Sequence, residues 1–169
     1  MKRIVITLAF LLAAVSGLQA QKFAFVDTEY ILNKIPAYRT AQQQLEGYSK
    51  QYAQEVDAAY SAVQEKVKAF QSESVLLTPD MRQKRQREIV DDEQKAKDLQ
   101  QKYFGREGLL MKKQEELLKP IQDQVFKAVK ALAADEGYAA IFDVASSASI
   151  LYSSARYDKS DDVLAKMGY

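Results

Sequence analysis

The sequence predicts an α+β fold: a small β-rich head with a long antiparallel α-helical hairpin inserted between its strands. Three observations predict it. Between Ala37 and Leu132 turn signals are scarce apart from one short break, Ser74-Val-Leu-Leu-Thr-Pro-Asp80. The two helical stretches flanking that break are of similar length, and each carries a single apolar stripe. Strand-like segments, rich in aromatic and branched residues, lie only toward the two ends. Such a hairpin would project from the head, and it offers surface and reach for binding rather than an enclosed site for chemistry.

The first twenty residues are expected to be a secretory signal peptide. Met1-Lys2-Arg3 is a short basic start, Ile4 to Val15 is apolar apart from Thr7, and Gly17-Leu-Gln-Ala20 offers a small-residue cleavage site. Cleavage after Ala20 would leave Gln21 first. The apolar run is short for a membrane span, so no stable membrane insertion is expected after cleavage.

Lys22-Phe-Ala-Phe-Val-Asp27 reads as a strand, and Asp27 or Thr28 can cap a short helix through Tyr30, Ile31 and Leu32. Pro36 ends that helix, because the residue before a proline is pushed out of the α region. The first long helix starts near Ala37. Counted at about 100° per residue, Tyr48, Tyr52, Val56, Ala59, Val63, Val67 and Phe70 all lie within about 60° of Leu45. The spacing averages about 3.57 residues, which predicts a nearly straight or weakly coiled pair.

Thr78-Pro79-Asp80 is a strong helix start: a capping hydroxyl, proline at the first helical position and an acid in the first turn. The returning stripe is Ile89, Ala96, Leu99, Tyr103, Leu110, Leu117, Ile121, Val125, Ala128 and Leu132. Arg85, Asp92 and Gln114 occupy the same stripe but are polar, so the seam weakens toward the turn. Pro120, inside this stretch, is expected to kink the helix. Reflection about the turn brings Gly47 to the level of Gly105 and Gly108, all three off the apolar stripe. Two readings stay open for these glycines: a candidate hinge, or tolerated surface residues.

Beyond Gly137 the character changes. Tyr138 to Val144 reads as a strand, Ala145 to Ala148 as a turn, and Ser149 to Ser153 as the partner strand. Asp158-Lys-Ser160 caps a last short helix carrying Val163, Leu164 and Met167. The expected organisation is residues 1–20 signal peptide, 21–36 head, 37–119 hairpin with its tip near 74–80, and 120–169 the remainder of the head.

Composition narrows the function. The chain has 24 Lys and Arg against 23 Asp and Glu. Losing Lys2 and Arg3 with the signal peptide brings the net charge to about −1, which announces no nucleic-acid partner. It has no cysteine, so no disulfide staples the fold, and no histidine, which removes the commonest metal ligand and general base. Asp91-Asp92-Glu93 and Glu115-Glu116 are adjacent on helices and splay by about 100° each, so neither converges on an ion. Serine pairs at Ser146-Ser147 and Ser153-Ser154 have no histidine to activate them. No cofactor, no metal site and no catalytic residue is expected: the chain reads as a non-enzyme.

About fifty residues remain for the head, below the size at which a lone core is comfortable, so self-association is expected. Tyr138, Ala140, Phe142 and Val144 share one strand face and Phe23 and Phe25 another, in a head too small to bury both alone.

Four segments in this order resemble the Skp/OmpH family of periplasmic chaperones. They are Phe23-Ala-Phe-Val-Asp27, the long hairpin, Gly137-Tyr-Ala-Ala-Ile-Phe-Asp143 and the terminal Asp158-to-Met167 segment. The resemblance covers Lys22 to the last helix. It implies a homotrimer whose β-rich parts form a central body. Its hairpins surround a cavity that holds unfolded outer-membrane β-barrel proteins without ATP, in the periplasm of a Gram-negative bacterium. Phe23, Phe25, Tyr138, Phe142 and Val144 are the candidate trimer interface.

The best-known members of the family it resembles are strongly basic, whereas this chain is near neutral. Charge attraction is therefore confined to the cluster Arg82, Lys84, Arg85 and Arg87 beside the turn, which also reads as a solvated helix face. Val75, Leu76, Leu77 and Met81 form an apolar knot at the tip. With Arg82 and Arg85 they are the candidate client-contact residues; alternatively Leu76 and Leu77 fold back and plug the seam against Phe70 and Ile89. The competing function is a structural coiled-coil subunit or spacer of the cell envelope without chaperone activity.

Overall fold

The computed structural model describes residues 22–146 and 150–169, so the expected signal peptide lies outside the described residues. The elements run β1 (Lys22–Val26), α1 (Thr28–Lys34), α2 (Pro36–Glu73), α3 (Pro79–Phe104), α4 (Leu109–Glu136), β2 (Tyr138–Asp143), a 3₁₀ turn (Ala155–Tyr157) and α5 (Ser160–Met167). The fold is α+β, mostly helical, with a small two-stranded sheet and a long helical hairpin. No helix among the described residues is long and apolar enough to cross a membrane. The chain forms two compact units, residues 22–34 with 124–169 and the intervening Ile35–Asp123.

In the first unit β1 and β2 pair in parallel, with Phe23 opposite Ala140, Ala24 opposite Ile141, Phe25 opposite Phe142 and Val26 opposite Asp143. Parallel neighbours need a long crossover, and here the crossover is the whole helical insertion. This corrects the expected pairing of β2 with residues 149–153. Ser149 lies outside the described residues, and Ile150 to Ser153 form no strand. Strand pattern reveals which residues are extended but not which segment they pair with, and β1 is the partner that lets Ala24 and Val26 be buried. Gly137, at φ +69°, makes the left-handed turn from α4 into β2 that a side chain would resist.

The ends of the chain are tied by polar contacts. The Asp27 carboxylate accepts from the Tyr30 amide at 2.9 Å and so caps α1, while the Asp27 amide donates to Ser160 Oγ at 2.9 Å. Ser160, buried, donates in turn to Asp158 Oδ1 at 2.6 Å. Asp143 accepts from the Thr28 hydroxyl at 2.7 Å and from the Thr28 and Ala145 amides at 3.1 Å. Burial pushes the Asp143 carboxyl up, but the bonds from Thr28, Ser146 and the two amides outweigh it and hold the carboxyl below its ordinary range. Ala24, Val26, Ile31, Val125, Leu132, Val163 and Leu164 are the buried apolar residues of this unit.

In the second unit α2 and α3 are antiparallel neighbours. Tyr52 stacks on Tyr103, the Tyr60 hydroxyl donates to Gln100 at 2.9 Å, and Lys66 pairs with Asp92, so rising numbers on α2 meet falling numbers on α3. Every residue of the expected α2 stripe is buried or partly buried, with Tyr52, Val56 and Val63 the deepest. Ile89, Ala96 and Tyr103 are buried on the return.

The returning helix is not continuous. α3 closes with the Gly105 amide on the Gln101 carbonyl at 2.8 Å, and the Gly108 amide bonds the Gly105 carbonyl at 2.8 Å. α4 then opens with the Lys112 amide on the Gly108 carbonyl at 3.1 Å. Past the break Leu118 is buried while Leu117 is only partly so, although the uninterrupted count favoured Leu117; Ile121, Val125 and Leu132 of that count are buried. Pro120 lies inside α4, which runs on to Glu136.

Candidate functional site

The turn between α2 and α3 is built as its residues dictate. Pro79 takes the first helical position, and Thr78 Oγ1 accepts from the Met81 amide at 3.3 Å, the side-chain cap the Thr-Pro-Asp start implies. Ser74 ends α2, and the Leu76 amide bonds the Glu73 carbonyl at 2.8 Å. Val75 and Leu76 are each 86% exposed and Met81 is 53% exposed, whereas Leu77 is partly buried. Leu76 therefore does not plug the seam. A leucine left in water forgoes about 1.5–3 kcal/mol of burial, so this turn is costly for a connection with no further role.

The basic residues beside it are partly engaged. Arg82 Nη2 donates to the Leu77 carbonyl at 3.3 Å, Arg85 pairs with Glu88 at 3.4 Å, and Arg87 reaches Gln83 at 3.4 Å. Arg82 thus braces the turn that presents the apolar residues.

Asp92, the acid that interrupts the apolar stripe, pairs with Lys66 across the hairpin and with Lys95 at 2.8 Å on its own helix. The two ammonium groups, Lys66 first, hold its carboxyl down at about 2. A polar residue on a seam looked like a weakness in the sequence. It is a cross-helix contact, and its cue was an unmatched lysine on α2.

The candidate hinge glycines separate into two kinds. A β-carbon on Gly105 would lie 2.3 Å from the Gln101 carbonyl oxygen, and one on Gly108 would lie 2.6 Å from the Tyr103 carbonyl oxygen, so both positions demand glycine. Gly47 sits inside α2, where a β-carbon would meet nothing within 4 Å, so no steric demand explains it. Yet Gly47 precedes Tyr48, whose ring lies 5.5 Å from Lys113 Nζ near the start of α4. Tyr48 faces Lys113 and Tyr52 faces Tyr103, so this stretch of α2 runs opposite the segment that holds the break.

Among the expected interface residues, Phe23 and Phe142 are 46% and 47% exposed, and Phe25, Tyr138 and Val144 are partly buried. Phe25 stands 6.0 Å from Phe23 and 5.8 Å from Phe142, so the aromatic residues of the two strands form one sheet face rather than two. Tyr157 extends it, stacked on Phe23 at 5.4 Å. Sequence reading missed Leu151 and Tyr152, which are 96% and 83% exposed, because it placed them in a paired strand.

Comparison with known proteins agrees with this architecture. Residues 22–167 match the family model described as outer membrane protein (OmpH-like). The chaperone protein Skp of Yersinia enterocolitica is 27% identical over 165 residues, spanning 95% of this chain and 94% of that protein. A solved structure described as an OmpH-like outer membrane chaperone, from Caulobacter crescentus, superposes with a TM-score of 0.66. It is 11% identical, over 88% of this chain and 85% of that one, and so bears on the fold alone. With the family model covering nearly all of the described residues, the chain belongs to the OmpH-like outer membrane protein family, whose membership supports a chaperone role rather than an enzymatic one.

Proposed function

We propose that this chain is an ATP-independent holdase that binds unfolded outer-membrane β-barrel proteins in the periplasm and prevents their aggregation before membrane insertion. The observation that carries the reading is the exposed knot of Val75, Leu76 and Met81, held at the turn of a long hairpin by the Thr78 cap and the Arg82 brace. Apolar contact is non-directional and suits a partner without fixed shape. Arg82 and Arg85 follow these residues on α3, and Leu77, partly buried, belongs to the same turn. Family membership and the signal-peptide pattern of residues 1–20 support the periplasmic setting.

The working form is a homotrimer joined through the face of Phe23, Phe25 and Phe142 with Tyr138 and Val144. Half-exposed phenylalanines on a two-stranded sheet support that assembly, since so small a sheet is marginal alone. Dilution of a urea-denatured outer-membrane β-barrel protein into buffer, with and without this protein and with no nucleotide, tests the function by light scattering. Suppressed scattering is expected. Unchanged scattering contradicts the reading and favours an envelope spacer.

A further inference from the structure

Five side chains on three helices form one column. Lys113 Nζ, on α4, lies 5.5 Å from the ring centroid of Tyr48. Tyr48 and Tyr52, one turn apart on α2, stack at 6.1 Å. Tyr52 lies flat against Tyr103 of α3 at 4.2 Å, and Lys102 Nζ stands 5.6 Å from the Tyr103 ring. The column starts on one side of the Gly105–Gly108 break and ends on the other, and α2 carries it across. Leu109 and Leu110, just past the break, pack on the same cluster.

We propose that this column is a splint. It holds α3 and α4 at a set angle across the break, and its loosening lets the half of the hairpin that bears the Ser74–Thr78 turn swing about the level of Gly47, Gly105 and Gly108. Three features support the swing. Between Phe104 and Leu109 the chain leaves the helix, and the bonds of Gly105 to Gln101, Gly108 to Gly105 and Lys112 to Gly108 carry it across, so the break itself is a weak strut. The unbroken helix opposite has glycine, its most flexible residue, at the same level. The outer side of the break is an open concavity of about 570 Å³, lined by Gln101, Lys102, Arg106, Leu109 and Lys112, so bending meets no packed neighbour there. Aromatic stacking and cation–π contacts are individually weak, so the column can open while both helices stay formed. That the swing adjusts the hairpin to clients of different bulk rests on the chaperone reading; the swing itself does not.

The chain has no cysteine, so residues introduced at exposed Gln86 and Lys119 take spin labels uniquely. Labelled full-length mature protein is diluted into unlabelled protein so that distances within one chain are read. The native sequence is expected to give one narrow distribution. Tyr52→Leu, which keeps an apolar side chain in the seam, is expected to broaden it toward shorter separations with helicity unchanged. Lys113→Gln, at a partly exposed position that leaves the seam intact, is expected to broaden it in the same direction but less. Superimposable distributions for the native protein and both variants overturn the splint, as does a native distribution already as broad as that of the variants. If the variants broaden while the native protein fails to suppress aggregation, the splint stands and the chaperone reading falls.

Discussion

The ring of Tyr103 lies parallel to that of Tyr52, inclined by 4°, and its hydroxyl donates to Glu55 one turn further along α2. One residue thus joins the two helices by a stacked face and by a polar edge. The hydrogen bond from Tyr103 holds the Glu55 carboxyl below its ordinary value, and the same bond raises Tyr103 above its own. Tyr52 and Tyr103 are each more than nine-tenths buried, and with Val56 they form one buried cluster of the hairpin.

Tyr52→Ala is expected to destabilise the protein by about 3 kcal/mol, because it removes a buried ring and leaves a cavity that long helices cannot close. Tyr103→Phe keeps the stack and loses only the bond to Glu55, so its loss should be clearly smaller. Thermal unfolding followed by helicity gives the order; equal losses would place the stability in the hydrogen bond and not in the stack.

The glycines should respond with opposite signs. Gly47→Ala is expected to raise stability by up to about 1 kcal/mol, the helix-interior difference between the two residues, since open space surrounds the site. Gly105→Ala should lower it, because its methyl group meets the Gln101 carbonyl oxygen. Melting temperatures of the two single variants check this; a stabilising Gly105→Ala would show that the break is no more than a frayed helix.

Asp92 sets an acid limit for the hairpin. Its carboxyl titrates at about 2 in the folded protein, below the ordinary value of 3.8. A group depressed on folding contributes stability above its unfolded pKa and loses it as pH falls through the folded one. The contribution of the Lys66–Asp92–Lys95 cluster should therefore be full above about pH 4 and fade toward pH 2. Asp92→Asn should flatten that part of the stability–pH curve; an unchanged curve would show the cluster to be screened by solvent.

At the turn, Val75→Ser with Leu76→Ser should leave the melting temperature unaltered, since both side chains are already in water. Client release should speed up. A fall in stability with unaltered release would mean that the residues support the hairpin and not the client.

The hairpin was legible because burial on a helix recurs with a period that neither Arg85 nor Asp92 disguises. The Thr78-Pro79-Asp80 start was equally plain, since each residue there serves one backbone requirement. The break at Gly105–Gly108 was not legible. Ile89, Ala96 and Tyr103 before it and Ile121, Val125 and Leu132 after it all satisfy one uninterrupted stripe, so periodicity alone does not register it. Partner choice in the sheet was hidden too: Tyr138–Asp143 looks the same whether it pairs with its near neighbour or with β1, more than a hundred residues away. The apolar character of the tip residues was plain, but only solvent exposure separated Leu76 from Leu77.

The holdase role stands or falls on the mass of the complex. Mature protein is mixed with a urea-denatured outer-membrane β-barrel protein, without ATP, and the soluble fraction is measured by light scattering coupled to size separation. A trimeric mass is expected for the protein alone and, after mixing, a soluble species heavier by the client. A client found wholly in the aggregate, with the protein's own mass unaltered, would contradict that role.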